Sequence, residues 1–151
     1  MFCVKPYSQQ FLRQVRQVFY RSFPTTLHHS WAEIEDLLER PAHAVVASEQ
    51  QAIGFLAAER KKQRTYLCTI AVDPQHRTKG VGKALYTEFL GSCSTNEISM
   101  HCRRNAYTLL ANPQLIKAHG FRIRAEELCK GYFDHGHIRE DAIYMQLQQV
   151  V

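Results

Sequence analysis

The sequence has 151 residues, of which 45% are hydrophobic and 22% are charged, and its formal net charge is +5 at pH 7. A chain of this length buries a substantial core but is too short for two full domains, and its composition excludes a largely disordered protein. We therefore predict one domain spanning residues 1–151. The positive charge suits an anionic ligand, yet the basic residues form no stripe interleaved with aromatic residues, so a nucleic-acid-binding module is disfavoured.

The sequence also bears on the compartment in which the protein works. No stretch approaches the roughly 18 apolar residues of a membrane span, and the opening MFCVKPYSQQ lacks the basic and then apolar layout of a secretion signal. The five cysteines are widely spaced and form no CxxC pair, which argues against a disulfide framework or a zinc knuckle. We expect a cytoplasmic protein with free thiols and no membrane partner.

Two amphipathic helices are predicted near the start of the chain. Apolar residues recur at helical spacing inside SQQFLRQVRQVFYRSF, where Ser8 is the candidate N-cap. In the second helix, SWAEIEDLLER, Ser30 and Glu33 form a capping box, and Pro41 ends the helix.

Strand-like periodicity follows. Three β-rich runs predict a meander of antiparallel strands: AHAVVASEQ, QAIGFLAAER and RTYLCTIAV. The rest of the chain alternates between helix and strand before two final strands: KALYTEFLGSC, EISMHCRR, TLLANPQLIKAHG, FRIRAEEL and AIYMQLQQ. Within the second of these helical segments, Pro113 interrupts the pattern and Gly120 marks the C-terminal end. The predicted order is β-α-α-β-β-β-α-β-α-β-β, an α/β (α+β) fold with a mixed, mostly antiparallel sheet flanked by helices.

A glycine-containing stretch, RTKGVG, lies between a predicted strand and a predicted helix. Arg77 and Ala84 stand where a Walker A loop requires a glycine and a Ser or Thr, and Leu85 stands where a dinucleotide fingerprint requires its third glycine. Both of those motifs are therefore excluded.

What remains is an anion-binding turn. Glycines let several backbone amides and the helix N-terminus converge on one anion, while Arg77, Lys79 or Lys83 supply positive charge. The stretch therefore predicts a diphosphate site, and the alternative is a basic turn without a ligand.

The residues around this turn resemble a known family. IAVDPQHRTKGVGKAL is similar to the (I/V)AVxPxxRxxGxGxxL segment of the GNAT superfamily of acetyl-CoA-dependent N-acetyltransferases. KAHGF resembles the family's LYxxxGF segment, and KGYFDHGHIREDAIYMQL resembles the YYxxxxGxEDAxxM tail of the RimI-like ribosomal-protein alanine N-acetyltransferases. The resemblance covers roughly residues 65 to 147 and implies a single-domain GNAT fold with acetyl-CoA as the acetyl donor.

The resemblance also implies a set of donor-binding residues. The backbone around Ile70, Ala71 and Val72, near a β-bulge, pairs with the pantetheine arm. The pyrophosphate is held by the residues of the glycine turn: Arg77, Thr78, Lys79, Gly80, Val81, Gly82 and Lys83.

Acetyl transfer to an amine requires a neutral nitrogen and hence a base. His101, in His101-Cys102-Arg103, takes the place of the carboxylate in the family's EVR segment. Because histidine titrates near neutrality, we expect His101 to take the acceptor proton directly or through water. The alternative is that His101 only packs or forms hydrogen bonds on its strand.

The residue that would protonate the leaving thiolate differs from the family pattern. The family's tyrosine in LYxxxGF is Ile116 here, which cannot donate a proton. Tyr107, Tyr132 or water are the candidates to replace it, and the sequence does not choose among them. Tyr132, Phe133 and Asp134 are also candidate contacts of the acceptor.

Two rival chemistries have weaker support. An acetyl-enzyme on Cys102 requires an activated thiolate, but His101 is adjacent on a strand and so faces the opposite way. His135 and His137 lie close together without a nearby carboxylate or cysteine pattern, so we expect no metal.

These patterns favour an N-acetyltransferase that works by direct transfer through a ternary complex. An N-terminal amine has a pKa of about 7.7 to 8.0 and a lysine about 10.4, so a modest base favours protein or peptide N-termini. The alternatives are a small amine acceptor (a polyamine, amino acid or aminoglycoside) and a non-catalytic acetyl-CoA-binding regulator. The sequence leaves the oligomeric state open.

Overall fold

The computed structural model describes residues 1–22, 30–40, 44–134 and 138–150. Seven strands form one sheet in the order β1-β2-β3-β4-β5-β7-β6. The strands are β1 (Cys3–Pro6), β2 (Ala44–Glu49), β3 (Gln51–Arg60), β4 (Arg64–Val72), β5 (Glu97–Arg103), β6 (Phe121–Asp134) and β7 (Arg139–Gln149). The α-helices are α1 (Leu12–Ser22), α2 (Trp31–Leu38), α3 (Val81–Ser92), α4 (Arg104–Leu110) and α5 (Pro113–Ala118), and short 3-10 turns span Gln9–Phe11 and Pro74–His76.

The predicted α+β fold and its strand meander are confirmed, with one difference in the helices. The segment predicted as one helix is two, because Pro113 cannot continue α4 and instead begins α5. The side chain of Asn112 caps this new start by accepting from the amides of Gln114 and Leu115, at 3.0 and 3.1 Å. Gly120 follows α5 in the left-handed conformation, with φ of 81°, as expected of a residue that ends a helix.

The predicted helix starts agree with the structure at one of two positions. Ser30 and Glu33 form the expected capping box at the start of α2. Ser8 precedes a 3-10 turn and its side chain makes no capping bond, so α1 begins only at Leu12. Pro41 lies outside the described residues, and α2 ends at Leu38.

The junction between β4 and β5 differs from every other junction in the sheet. These two strands are parallel, whereas all other neighbours are antiparallel. They pair only over Arg64–Leu67 and Glu97–Met100. Opposite β3, β4 contains one extra residue, Cys68, since Ala57 pairs with Thr69 and Ala58 with Leu67. From this bulge onward, β4 pairs only with β3, and β5 only with β7, so the sheet is open between its two central strands.

Two apolar cores, one on each face of the sheet, hold the layers together. On one face α1 and α2 bury Val15, Val18 and Ile34 against β2, β3 and β4. On the other face α3 buries Leu85 and Phe89 together with residues of β5, β7 and α5. Each such fully buried side chain contributes about 1.5–3 kcal/mol to the free energy of unfolding. Because helices pack on both faces of the sheet, β4 is held between the two layers. Within the described residues no helix has the length and apolar character needed to cross a bilayer.

Candidate active site

The turn between β4 and α3 depends on one glycine for its backbone conformation. Gly80 precedes α3 with φ of 76° and ψ of 16°, in the left-handed region. A residue with a Cβ is disfavoured there by roughly 1–2 kcal/mol, although a Cβ at this position would meet nothing within 4 Å. Backbone conformation, and not packing, therefore requires glycine at this position.

The turn presents donors and positive charge to solvent. The amides of the first helical turn have no acceptor within their own helix, and the amide of Ala84 is the first to bond back, to the carbonyl of Gly80 at 3.1 Å. The side chains of Arg77, Lys79 and Lys83 are exposed beside these amides. Amides without an acceptor in their own helix, together with a helix N-terminus and three cations, fit a diphosphate.

A second glycine keeps space open between two elements. A Cβ on Gly82 would lie 3.4 Å from Cδ2 of Leu109 in α4 and 3.7 Å from Cγ2 of Val72 in β4. One methyl group would therefore fit in ordinary contact, but a larger side chain would fill the gap between these elements. Val81 is fully buried, so only its backbone can contact a ligand.

The residues predicted to contact the pantetheine arm lie at the open edge of β4. Ile70 is half-buried and packs against the core under α3, while Ala71 is buried on the opposite face, under α1 and α2. The carbonyl of Val72 already accepts two hydrogen bonds, from Oγ of Ser22 at 3.1 Å and from Nε of Arg77 at 3.2 Å. Among these backbone groups, the Val72 carbonyl is therefore already hydrogen-bonded within the protein.

His101 lies on β5 one residue beyond the last pair with β4, inside a group of tyrosines. Its Nδ1 is 2.6 Å from the hydroxyl of Tyr66 on β4. Its ring stacks on Tyr132 with centroids 4.1 Å apart and planes 7° apart, and the ring of Tyr144 lies 5.0 Å away. His101 is thus placed at the opening of the sheet by residues from three different strands.

The tyrosines around His101 also interact with one another. Burial is the main reason that the pKa of Tyr66 is raised, and its hydrogen bond with Tyr132 raises it further. Burial also raises the pKa of Tyr132, whereas the bond with Tyr66 lowers it. The bond between Tyr66 and His101 can form with either tautomer of the imidazole, because a hydroxyl and a ring nitrogen can each donate or accept.

Tyr107 lies on the other face of the sheet. Its hydroxyl donates to Oε2 of Glu126 at 2.6 Å, and this bond is the main reason that the pKa of Tyr107 is raised. Glu126 pairs with Met145, whereas His101 pairs with Tyr144, the neighbouring residue of β7. Because adjacent strand residues face opposite ways, His101 and Tyr107 are on opposite faces.

The other sequence candidates lie in different environments. Of the three predicted acceptor contacts, Tyr132 lies against His101, Phe133 is buried, and Asp134 is exposed and forms an ion pair with Arg139 at 3.8 Å. Ile116 is 1% exposed in the core below α3.

The cysteine alternative gains nothing from the geometry. Cys102 is 1% exposed, and burial raises the pKa of its thiol to about 12, so the thiol is protonated at neutral pH. His135 and His137 lie outside the described residues. Among the residues that are described, no group of three or more His, Cys, Asp or Glu could hold a metal ion.

Tyr66 was missed by sequence reasoning. It precedes Leu67 in RTYLCTIAV, and alternation along the strand places it on the face opposite the core under α3. This alternation could have indicated its face, but not its partner. The contact with His101 depends on the parallel register between β4 and β5, which strand periodicity does not reveal.

Comparison with known proteins identifies the family of the chain and solved structures that share its fold. The model of the acetyltransferase (GNAT) family matches residues 10–121. No curated protein matches the chain by sequence.

Solved structures with the same fold include three acetyltransferases. The ribosomal-protein-S18-alanine N-acetyltransferase from Escherichia coli is 18% identical with a TM-score of 0.77, and the match covers 100% of this chain and 96% of that one. Ard1 from Thermoplasma volcanium is 22% identical with a TM-score of 0.72, covering 99% and 98%. A GNAT superfamily phosphinothricin acetyltransferase from Sinorhizobium meliloti, in complex with acetyl-CoA, is 19% identical with a TM-score of 0.71, covering 99% and 89%.

A glycine turn at a helix N-terminus, beside a sheet that opens between two central strands, suits a ligand that carries an anionic group. The chain belongs to the acetyltransferase (GNAT) family. The resemblance predicted from IAVDPQHRTKGVGKAL is thereby confirmed.

Proposed function

We propose that this enzyme transfers the acetyl group of acetyl-CoA directly to a primary amine, with a protein or peptide N-terminal amine as the favoured acceptor. The observation that carries the proposal is the position of His101, held by Tyr66 at the point where β4 and β5 stop pairing. A candidate base thus lies at the opening of the sheet, on the strand beside the one that leads into the glycine turn.

The donor is proposed to bind along the open edge of β4 and over the glycine turn. Acetyl-CoA supplies the activated acetyl thioester when it is bound. Its diphosphate fits the amides at the start of α3 together with Arg77, Lys79 and Lys83. Gly80 gives the turn its left-handed backbone, and Gly82 keeps space open between β4 and α4. Ile70, Ala71 and Val72 line the adjoining edge of β4.

The base is proposed to be the imidazole of His101. Its Nδ1 is hydrogen-bonded to the hydroxyl of Tyr66, and the Tyr132 ring stacks on the imidazole, so the ring is oriented by both contacts. Proton removal from an ammonium requires a group that titrates near neutral pH, which an imidazole provides.

The acid is proposed to be Tyr107, with Tyr132 as the alternative. Tyr132 contacts the base itself, whereas Tyr107 lies on the opposite face of the sheet, where α4 approaches Gly82 and the end of β4. An acid and a base on opposite sides of the opening can serve the leaving group and the incoming amine separately. The Tyr107 hydroxyl is protonated at neutral pH, as phenols are, and its bond to Glu126 raises its pKa further.

A small-molecule amine is the second candidate acceptor, since the structures of similar fold include a phosphinothricin acetyltransferase as well as an S18-alanine N-acetyltransferase. A third possibility is a regulator that binds acetyl-CoA without turnover, because Ile116 replaces the family's acid. A cytoplasmic location, inferred from the sequence, completes the proposal.

The deciding experiment incubates the purified protein with acetyl-CoA and a mixed panel, and detects products by mass. The panel contains N-terminal peptides, lysine peptides, polyamines and aminoglycosides. Mass detection avoids the background that the five protein thiols would give in a thiol-release assay. Acetylation of a peptide α-amine supports the proposal, acetylation of a small amine moves the assignment to the second candidate, and acetyl-CoA binding without any product favours the regulator.

A further inference from the structure

The last two residues of α1 contact the corner that leads into the glycine turn. Nη1 of Arg21 donates to Oδ2 of Asp73 at 2.8 Å, and Oγ of Ser22 donates to the carbonyl of Val72 at 3.1 Å. Fifty or more positions of sequence separate the partners in each bond. α1 is thus tied to the chain immediately before the proposed diphosphate site.

Asp73 is the centre of this corner. Its carboxylate is 6% exposed, while the side chain of Arg21 is 57% exposed. Its Oδ1 accepts from the amide of Gln75 at 3.0 Å, and its own amide donates to the carbonyl of Ile53 at 2.7 Å. A buried carboxylate is costly unless it is paired, so Arg21 stabilises the ionised form that caps the turn.

The bond from Ser22 to Val72 connects α1 to Arg77, a residue of the proposed diphosphate site. The Val72 carbonyl also accepts from Nε of Arg77, at 3.2 Å. A guanidinium held through Nε still has two terminal nitrogens with which it can donate to an anion. Ser22 and Arg77 share one acceptor, so a shift of the Val72 carbonyl would also change the bond that holds Arg77.

We propose that Arg21 and Ser22 are positioning residues of the acetyl-CoA site, which hold the Val72–Asp73 corner so that Arg77 and the turn amides meet the diphosphate. This inference rests on the proposed function, because it assumes that the turn binds the diphosphate of acetyl-CoA. According to this inference, α1 also determines how tightly the donor binds, although it forms no part of the glycine motif.

The test compares donor binding by two variants, Arg21→Ala and Ser22→Ala, with binding by the wild-type protein. Equilibrium binding is measured for acetyl-CoA and for S-acetylpantetheine, which lacks the diphosphate. Losing one positioning hydrogen bond should weaken acetyl-CoA binding by about fivefold to tenfold. Binding of S-acetylpantetheine should not change, and kcat at saturating donor should not change while KM for acetyl-CoA rises.

Two controls separate positioning from general effects. Arg13→Ala removes the same charge from an exposed position about two turns earlier on α1, so it reports any long-range charge effect. Arg21→Lys retains the cation and should recover part of the lost affinity. Thermal unfolding of each variant establishes that it is folded.

The outcomes are distinct. Unchanged acetyl-CoA affinity in folded Arg21→Ala and Ser22→Ala, or an equal loss for acetyl-CoA and S-acetylpantetheine, overturns the inference. An equal loss in Arg13→Ala overturns it as well, since the effect would then be one of net charge. A wild-type protein that binds neither donor contradicts the proposed function itself.

Discussion

The hydroxyl of Tyr66 and Nδ1 of His101 lie 2.6 Å apart, on two parallel strands that stop pairing at this point. The bond joins β4, which leads into the glycine turn, to β5, which holds the proposed base. His101 was selected as the candidate base from its own segment of sequence, whereas Tyr66 was not singled out. Their contact is a direct result of the register in which β4 and β5 meet.

Removing the base should produce the largest loss of activity. We expect His101→Gln to lower kcat/KM by about a hundredfold to ten-thousandfold, because glutamine preserves polarity but cannot take a proton. Tyr66→Phe should have a smaller effect, since the imidazole keeps its stacking on Tyr132 and loses only its hydrogen bond. The measurement is a pH–rate profile with the acceptor found by mass detection. A normal profile in His101→Gln would remove His101 from the mechanism.

The glycine turn should not tolerate a negative charge. We expect Gly82→Asp to weaken acetyl-CoA binding by more than about tenfold, because the aspartate would fill the gap beside Leu109 and repel a diphosphate. Gly91→Asp, in the last turn of the same helix, is the matched control and should bind acetyl-CoA normally. Calorimetric titration of both variants measures the difference, and normal affinity in Gly82→Asp would contradict the donor site.

The two candidate acids can be separated by removing one hydroxyl at a time. We expect Tyr107→Phe to lower kcat by about tenfold or more and to change the alkaline limb of the pH–rate profile. Tyr132→Phe keeps the ring that stacks on His101, so its main effect should be on KM for the acceptor. Steady-state kinetics with both substrates varied will distinguish these effects. The reverse pattern would identify Tyr132 as the acid.

Direct transfer predicts that the buried thiol beside the base is dispensable. Since burial raises the pKa of Cys102 to about 12, we expect Cys102→Ala to retain activity and to lose about 1 kcal/mol of stability from the cavity. Cys3→Ala, at an exposed position, is the control and should change neither property. Activity and urea unfolding of both variants are the measurements. A folded Cys102→Ala without activity would favour an acetyl-enzyme.

Asp73 should contribute to the acid sensitivity of the fold. Burial raises its pKa, but the Gln75 amide and Arg21 lower it by more, so the folded value is below the unfolded value of about 3.9. The stabilisation is therefore complete above about pH 4 and is lost as the pH falls through the folded pKa.

We expect Asp73→Asn to cost about 1–3 kcal/mol at pH 7 and progressively less below pH 4. Urea unfolding at both pH values, with exposed Asp36→Asn as the control, measures this difference. A cost that is independent of pH would mean that the charge on Asp73 is unimportant.

Much of the fold could be predicted because its periodicity is local. The β-rich composition of β2 to β4 and the Ser30 capping box each act over a few residues, and the structure has them where the sequence indicates. The division at Pro113 was visible, but the start of α4 at Arg104 was not, because α4 follows β5 without a turn. Ser8 did not mark the start of α1, because it precedes a 3-10 turn and its side chain forms no capping hydrogen bond.

The candidate site was less predictable, for a physical reason. The glycine turn is contiguous, so its residues could be read together. The Tyr66–His101 bond, the separation of Tyr107 from His101 by the sheet, and the contact of Arg21 with Asp73 all depend on pairing between distant segments. Such contacts follow from register and packing, which no short stretch of sequence encodes.

The short parallel contact between β4 and β5 also divides the sheet into two antiparallel halves, β1 to β4 and β5 with β7 and β6. Within the described residues, backbone pairing joins these halves over only four residues of each strand. Protein sheets open in cooperative units, so each half should exchange its amide hydrogens as a separate unit. A molecule bound between β4 and β5 would contact both halves and slow amide exchange in both. Exchange in β1 and β6, the two strands most remote from the opening, would then report indirectly whether the opening is occupied.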